Sequence, residues 1–167
     1  KRLINKNLEV INASPQRVTG DEIIDSILTL FIKRASEFKI HIEIQGSSLL
    51  EIPISHDDLS LLLSNSLENA INATQLVSED YRQVLLNVTK NKDTGTIALL
   101  IQNPCVNPVT FSQDGLPQSL RGETHGYGTR SMRLIVSKYN GLCSFSTEEN
   151  FFIFRAVFFH AQKIKGD

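Results

Sequence analysis

The apolar residues of this chain change period once between Asp21 and Gln45, and that change restricts what the chain can fold into. From Asp21 to Phe38, the residues Ile23, Ile24, Ile27, Leu28, Leu30, Phe31 and Ala35 recur at helical spacing, the pattern of a helix that buries one face. In the following KIHIEIQ, Ile40, Ile42 and Ile44 alternate with His41 and Glu43, the period of a half-buried strand. A second helix is predicted to start at Asp57 or Asp58, either of which can cap it, and to run to about Gln75. VLLNVT and TIALLIQN read as two strands of a hairpin around the turn-like stretch Asn91 to Gly95. A short helix from about Thr129 to Tyr139 turns Met132, Ile135, Val136 and Tyr139 to a core, and CSFSTEENFFIFRAVFF reads as two strands joined at Glu148, Glu149 and Asn150. Interleaved helices and strands with hairpins among them predict an α/β fold, an α+β two-layer sandwich: a mixed, mostly antiparallel sheet with helices on one face.

The chain has 167 residues, 41% of them hydrophobic and 21% charged, which fits one soluble domain with a sizeable core. A formal net charge of -1 gives no basic footprint for nucleic acid or a membrane surface. No apolar run approaches the length a bilayer requires, and no signal peptide is present. The start at Lys1 rather than Met leads us to expect a piece of a longer protein. Residues 1–20 read as the remnant of an upstream helix and a linker, 21–162 as the domain, and 163–167 as a tail. Cys105 and Cys143 lie far apart without metal-ligand spacing, which suits a reduced, cytosolic context.

In SNSLENAINATQ, residues 64–75, three asparagines interrupt the second helix at helical spacing. Asparagine is a poor helix-interior residue because its amide competes for backbone hydrogen bonds. At about 100° per residue, Asn65, Asn69 and Asn72 form a stripe beside the apolar arc of Leu59, Leu62, Leu63, Ser66, Leu67, Ala70 and Ala73. Two readings fit this stripe. In one, the amides are half-desolvated and held by a bound polar ligand, their oxygens suited to a hard cation such as Mg²⁺. In the other, the stripe is a solvated helix face with a chance run of Asn.

Residues 104–126 hold three prolines and three glycines without periodicity, which marks the segment as a lid candidate. It ends in HGYGTRS, His125 to Ser131, where two glycines open a helix. That arrangement makes a phosphate seat at a helix N-terminus, or else a loop-to-helix turn that merely needs positive φ. A Rossmann fingerprint is excluded, because a polar loop precedes the glycines and Ser131 stands in the third glycine's place; no Walker-type motif is present.

The order of these features is a helix with LLLSNSLENAINA, a strand ending in IQN, an irregular lid, HGYGTRSMRLIVSKYNG and a terminal hairpin. Over roughly residues 20 to 160 it resembles the GHKL ATP-binding superfamily. Within that superfamily the chain is similar to the catalytic domain of sensor histidine kinases of the Agr quorum-sensing type found in Firmicutes. The resemblance rests on both boxes at this separation, which are more specific together than either alone. It implies a Bergerat-type fold with an ATP lid, and ATP and Mg²⁺ as cofactors. Asn69 matches the family's magnesium-coordinating asparagine, and Asn65, one turn earlier, the position that orders phosphates or water; Asn65 and Glu68 are the candidate catalytic residues. Asn69, Asn72, Asn103, His125, Gly126, Tyr127, Gly128, Thr129 and Arg130 are candidates for holding the nucleotide, with Gly126 and Gly128 matching the glycine box whose backbone holds phosphates. Arg130 either adds charge at the phosphates or is a solvated helix residue. His125 is open in the same way, and Arg121 reads as a solvated lid residue.

One departure concerns adenine. Where many family members carry Asp-x-Gly-x-Gly, this chain has NPCVN, with Asn103 for the acid and no glycine. Asn keeps a carbonyl acceptor for an amino donor. The sequence His56-Asp57-Asp58 mimics a phosphoacceptor pattern, but helix capping by its acids is sufficient explanation. His41 reads as the solvent face of a strand and His160 as a terminal residue. The resemblance thus implies the ATP-binding part of a two-component histidine kinase. Its partners would be its own dimerisation and phosphoacceptor domain and a response regulator in a phosphorelay. The full protein would be a membrane-anchored homodimer with this domain in the cytoplasm. Two alternatives keep the fold: an anti-sigma-factor-type serine kinase and a nucleotide-free pseudokinase or scaffold.

Overall fold

The structure, a computed structural model, describes residues 18–118 and 127–159. Eight elements follow one another: α1 (Glu22–Glu37), β1 (His41–Gly46), α2 (His56–Thr74), β2 (Gln83–Lys90), β3 (Ile97–Pro104), α3 (Tyr127–Lys138), β4 (Leu142–Glu148) and β5 (Phe151–Phe158). The five strands form one sheet in the order β1-β2-β3-β5-β4. Only β1 and β2 are parallel; the other pairings are antiparallel, so the sheet is mixed and mostly antiparallel as expected. Register places Leu86 opposite Ile101 and Ile101 opposite Phe154, with Val88, Leu99 and Ala156 in the next row. These residues share one face because side chains alternate along a strand. That face is buried with the inner sides of all three helices in one cluster, while Glu43, Gln83, Asn87, Gln102, Ser144 and Arg155 alternate onto the other.

The local sequence explains the boundaries. Asp21 caps α1, accepting from the N–H groups of Ile23 and Ile24, and Ile24, Leu28, Phe31 and Ala35 are its buried apolar residues, whereas Ile23 and Leu30 are exposed. The cap of α2 differs from expectation. Ser55 fills that position, its hydroxyl accepting from the Asp58 N–H. Asp57 and Asp58 fall in the first turn, where a carboxylate meets the positive end of the helix dipole. At the end of β1, Gly46 at φ +88° lies so close to β2 that a Cβ would come within 1.9 Å of the Val88 carbonyl oxygen. Glu149 and Asn150, at φ +46° and +70°, form the two-residue turn between β4 and β5, the backbone that matches the strands' twist.

Arg82, just before β2, ties the helices to the sheet. Its guanidinium donates to Val77 O at 2.9 Å, Phe38 O at 2.8 Å and Gln75 O at 2.9 Å. Phe38 and Gln75 are the C-caps of α1 and α2, so one cation answers carbonyls at the negative ends of two helices. Asp25 does the corresponding work at the start of α1. Burial alone pushes its carboxyl up, but hydrogen bonds from the Thr19 hydroxyl and from the backbone of Thr19, Gly20 and Val18 outweigh that and hold it below its ordinary value.

Replacing Arg82 with Met should lower the unfolding free energy by about 2 to 3 kcal/mol in urea titrations, since charged hydrogen bonds to helix ends are lost together. Lys at that position, with no planar fork, should recover only a minor part. Because the carboxyl of Asp25 is depressed in the folded state, its contribution is present above the ordinary carboxylate range and is lost as pH falls through the folded value. Asp25→Asn should therefore depress the thermal midpoint at neutral pH, and the gap from the parent should close as the pH is taken down towards 3.

Candidate functional site

Helix α2 lies between the other two helices. The contacts of Asp21 with His56 and Arg34 with Glu68 run α1 parallel to it, and those of Tyr139 with Asp58 and Asn69 with Met132 run α3 antiparallel. Leu59, Leu62, Leu63, Leu67, Ala70 and Ile71 on α2 are buried. The asparagine stripe therefore borders α3. A Cβ built on Gly128 would sit 3.4 Å from Asn69 Nδ2, 3.7 Å from Asn69 Oδ1 and 3.8 Å from Asn65 Oδ1. The two constellations, far apart in sequence, thus meet at one point. Gly128 lies in the first turn of α3 without a positive φ, and a Cβ there would meet the asparagines at ordinary van der Waals distance, so neither backbone strain nor a clash demands glycine at this contact. Asn65 is half-buried, but Asn69 and Asn72 are exposed rather than half-desolvated; the Asn69 amide reaches Met132 Sδ at 3.9 Å.

Beside this contact lies a cavity of about 320 Å³, within the size range of small-molecule sites. Asn69, Asn72, Ala73 and Thr129 line it from the helices, Asn103 and Phe152 from the sheet, and Leu76 from beyond α2. Asn103 and Phe152 are direct partners in the β3–β5 register. Asn103 is 2% exposed. Its Nδ2 donates to the Pro104 carbonyl at 3.0 Å, and an Asn side chain carries an amide oxygen acceptor besides that donor. The remaining wall comes from residues 105–109, Pro117 and Gln118. The described lining contains carboxamides but no Asp, Glu, Lys, Arg or His. Its one ionisable group, the Cys105 thiol, is pushed up by burial. Gln118, Leu76 and Phe152 belong to the lining without any signal in periodicity or motif; only the return of the chain brings them there, whereas Asn107 closes the NPCVN stretch singled out in the sequence.

The segment expected to be irregular from residue 104 onward is irregular as far as Gln118, with one isolated bridge between Phe111 and Pro117, but specific contacts hold it. Ser112 and Leu116 pair through their backbones, Gln118 N–H donates to Thr110 O, and Gly115 turns the chain at φ +75°. Phe111 and Leu116 pack on the core, and Asp114 accepts from Arg133 of α3 at 2.9 Å. Arg121, His125 and Gly126 lie outside the described residues, as do residues 1–17 and His160. Tyr127, the first residue of α3, and Arg130 are exposed. Glu68 is set apart from the asparagines and pairs with Arg34 at 3.2 Å. His56 stands in the first turn of α2, roughly 20 Å of helix rise from Asn69, which removes it from the cavity. Among the described residues no cluster of three or more His, Cys, Asp or Glu exists to hold a metal, and no helix is long and apolar enough to cross a membrane.

Residues 54–158 match the family model described as the GHKL domain. The chain belongs to the GHKL domain family. The matched span runs from the loop before α2 to the end of β5, and so contains α2, the cavity and α3. This GHKL domain has the fold of histidine kinase catalytic domains. The nucleotide-free catalytic domain of histidine kinase ThkA superposes with a TM-score of 0.63 at 19% identity, covering 83% of this chain and 91% of that one. The Acinetobacter baumannii histidine kinase AdeS gives 0.59 at 17% identity over 84% of this chain and 64% of that one. Full-length ShkA in complex with AMPPNP gives 0.58 at 21% identity, covering 86% of this chain but 30% of that one. No curated protein sequence matches the chain.

Glycine in a helix costs about 0.5 to 1 kcal/mol relative to alanine, and the nearest atom to the built Cβ of Gly128 belongs to a side chain that can give. Gly128→Ala should therefore leave the thermal midpoint at or above that of the parent while shifting the side-chain amide resonances of Asn65 and Asn69. Unmoved amides would contradict the close approach described here, and a lowered midpoint would contradict the room it leaves for a Cβ.

Proposed function

We propose that this GHKL domain binds MgATP in the cavity between α2, α3 and the sheet and acts as the catalytic domain of a sensor histidine kinase of the Agr type. The observation that carries this reading is the meeting of Gly128 with Asn65 and Asn69 beside a cavity that Asn69 and the buried Asn103 both line. These residues fit the ligand. A buried amide acceptor suits the amino group of adenine, Leu76 and Phe152 supply apolar wall for the base, and a helix start without a Cβ at Gly128 leaves room for phosphate oxygens.

In this reading Asn69 offers its carboxamide oxygen to Mg²⁺, a cation that prefers oxygen donors and keeps waters and phosphates as its other ligands. Asn65 orders water or phosphate one turn earlier, and Asn72 extends the same stripe. Gly128 and Thr129, with Gly126, His125, Tyr127 and Arg130 beside them, form the phosphate end of the site. Bound MgATP supplies the transferable γ-phosphoryl together with the charge neutralisation that the described cavity lacks. The chain's own work is positioning and exclusion of water, which is most of what phosphoryl transfer asks of a protein. Glu68, held by Arg34, takes part in transfer only if that exposed pair opens, and exposed pairs are weak. The acceptor is a histidine on a separate dimerisation domain, and the phosphoryl passes on to a response regulator; the whole protein is a membrane-anchored homodimer with this domain in the cytoplasm.

Calorimetric titration with a non-hydrolysable ATP analogue and Mg²⁺ tests the site. Saturable binding should weaken at least about tenfold in Asn69→Ala, equivalent to about 1.4 kcal/mol, and should lose its dependence on Mg²⁺. Asn103→Leu should weaken it comparably and erase any preference for adenine over guanine nucleotides. A folded parent that gives no heat at millimolar nucleotide would refute the reading.

A further inference from the structure

The ends of α2 and α3 remote from the cavity carry a polar cluster that the site has not used. The Asp58 carboxylate accepts from Lys138 Nζ at 2.7 Å, from the Tyr139 hydroxyl at 2.5 Å and from Ser55 Oγ at 3.1 Å. The Tyr139 hydroxyl in turn accepts from the N–H of Ser55, the N-cap of α2, at 3.1 Å. Tyr139 thus reads the backbone start of α2 as well as its first-turn acid. Hydrogen bonds from Lys138, then Tyr139 and Ser55, hold Asp58 below its ordinary value, so the cluster is charged at neutral pH.

Because α2 and α3 are antiparallel, this cluster and the Gly128 contact close the same helix pair at its two ends. Asp58 to Asn69 on α2 and Gly128 of α3 to Tyr139, the residue just after it, are equal stretches of chain, about three helical turns or roughly 16 Å. Between them lie buried apolar residues, Met132, Ile135 and Val136 on α3 and Leu59, Leu62 and Leu63 on α2, which fix separation but tolerate small axial slips better than directional hydrogen bonds do. We infer that Tyr139 and Asp58 are positioning residues, which set the axial register of α3 on α2 and thereby the approach of the Gly128 backbone to Asn65 and Asn69. Neither touches the cavity. The effect on ligand binding rests on the MgATP reading above, whereas the effect on register does not.

The test is Tyr139→Phe in the full chain, which keeps the ring and removes the hydroxyl, with Asp58→Asn as a second variant and Phe31→Leu, in the buried face of α1, as a control for loss of stability alone. In the ligand-free protein, the Gly128 N–H and the side-chain amides of Asn65 and Asn69 should shift in both register variants and stay in place in the control. Affinity for the ATP analogue with Mg²⁺ should fall about three- to tenfold, within the range of coupling through packed elements, and stay constant in the control. Resonances unmoved at Gly128 and the asparagines would overturn the inference, whether or not affinity changed. Shifted resonances in a chain that binds no nucleotide would sustain the register claim and sink only the proposed ligand.

Discussion

The burial of α2 on three sides is the constraint on which the other features of the structure depend. With the sheet beneath it, α1 parallel on one flank and α3 antiparallel on the other, its apolar arc is fully used. A polar residue on this helix has few places left: a seam with a neighbouring helix, or the outer surface. The asparagines take the seam with α3, and Glu68, about 100° around the helix from Asn69, takes the side of α1 and meets Arg34. Which chemistry can gather at the cavity is thus decided by helix geometry before any ligand is considered. The same geometry separates the acid from the amides although they are adjacent in sequence.

The sheet supplies the other half. The order β1-β2-β3-β5-β4 places β3 at the centre, so its last residues run out under α2 with β5 alongside. Asn103 ends up 2% exposed and opposite Phe152. Asn103 lies one residue past the β2–β3 pairing and has a ladder partner only on β5, so its burial comes from what packs over that face of the sheet, where a polar side chain is costly unless it is hydrogen-bonded. The chain keeps an amide there with an aromatic ring beside it, and both line the cavity.

Much of this was legible in the sequence, for stated reasons. The change from helical to alternating period gave α1 and β1 because their apolar residues are set by one buried face each. The asparagine stripe and the glycine after the loop stood out because they contradict helix propensity and regular patterning. The cap of α2 was not legible: Ser55, Asp57 and Asp58 are all good capping residues, and the choice of Ser55 follows from Asp58 being taken by Lys138 and Tyr139 some eighty residues on. Residues 105–118 read as structureless because their order comes from Phe111 and Leu116 on the core and Asp114 on Arg133, contacts with no local signature. Gln118, Leu76 and Phe152 entered the cavity wall by the same long-range route.

The amides at the site differ in how the fold satisfies them. Asn69 and Asn72 are exposed, so solvent meets their polar atoms and the stripe does not burden the helix. Asn103 is 2% exposed, and its Nδ2 is engaged on Pro104 O at 3.0 Å, which offsets part of the cost of burying an amide at the end of the central strand. The buried side-chain atoms without a partner among the described residues, Ser60 Oγ and Thr74 Oγ1, sit on α2 outside the cavity lining. The polar demands of the cavity wall are thus met locally, and in the MgATP reading proposed above its carboxamides serve because of where the helices and the sheet place them, with no unpaired acceptor needed to draw a ligand in.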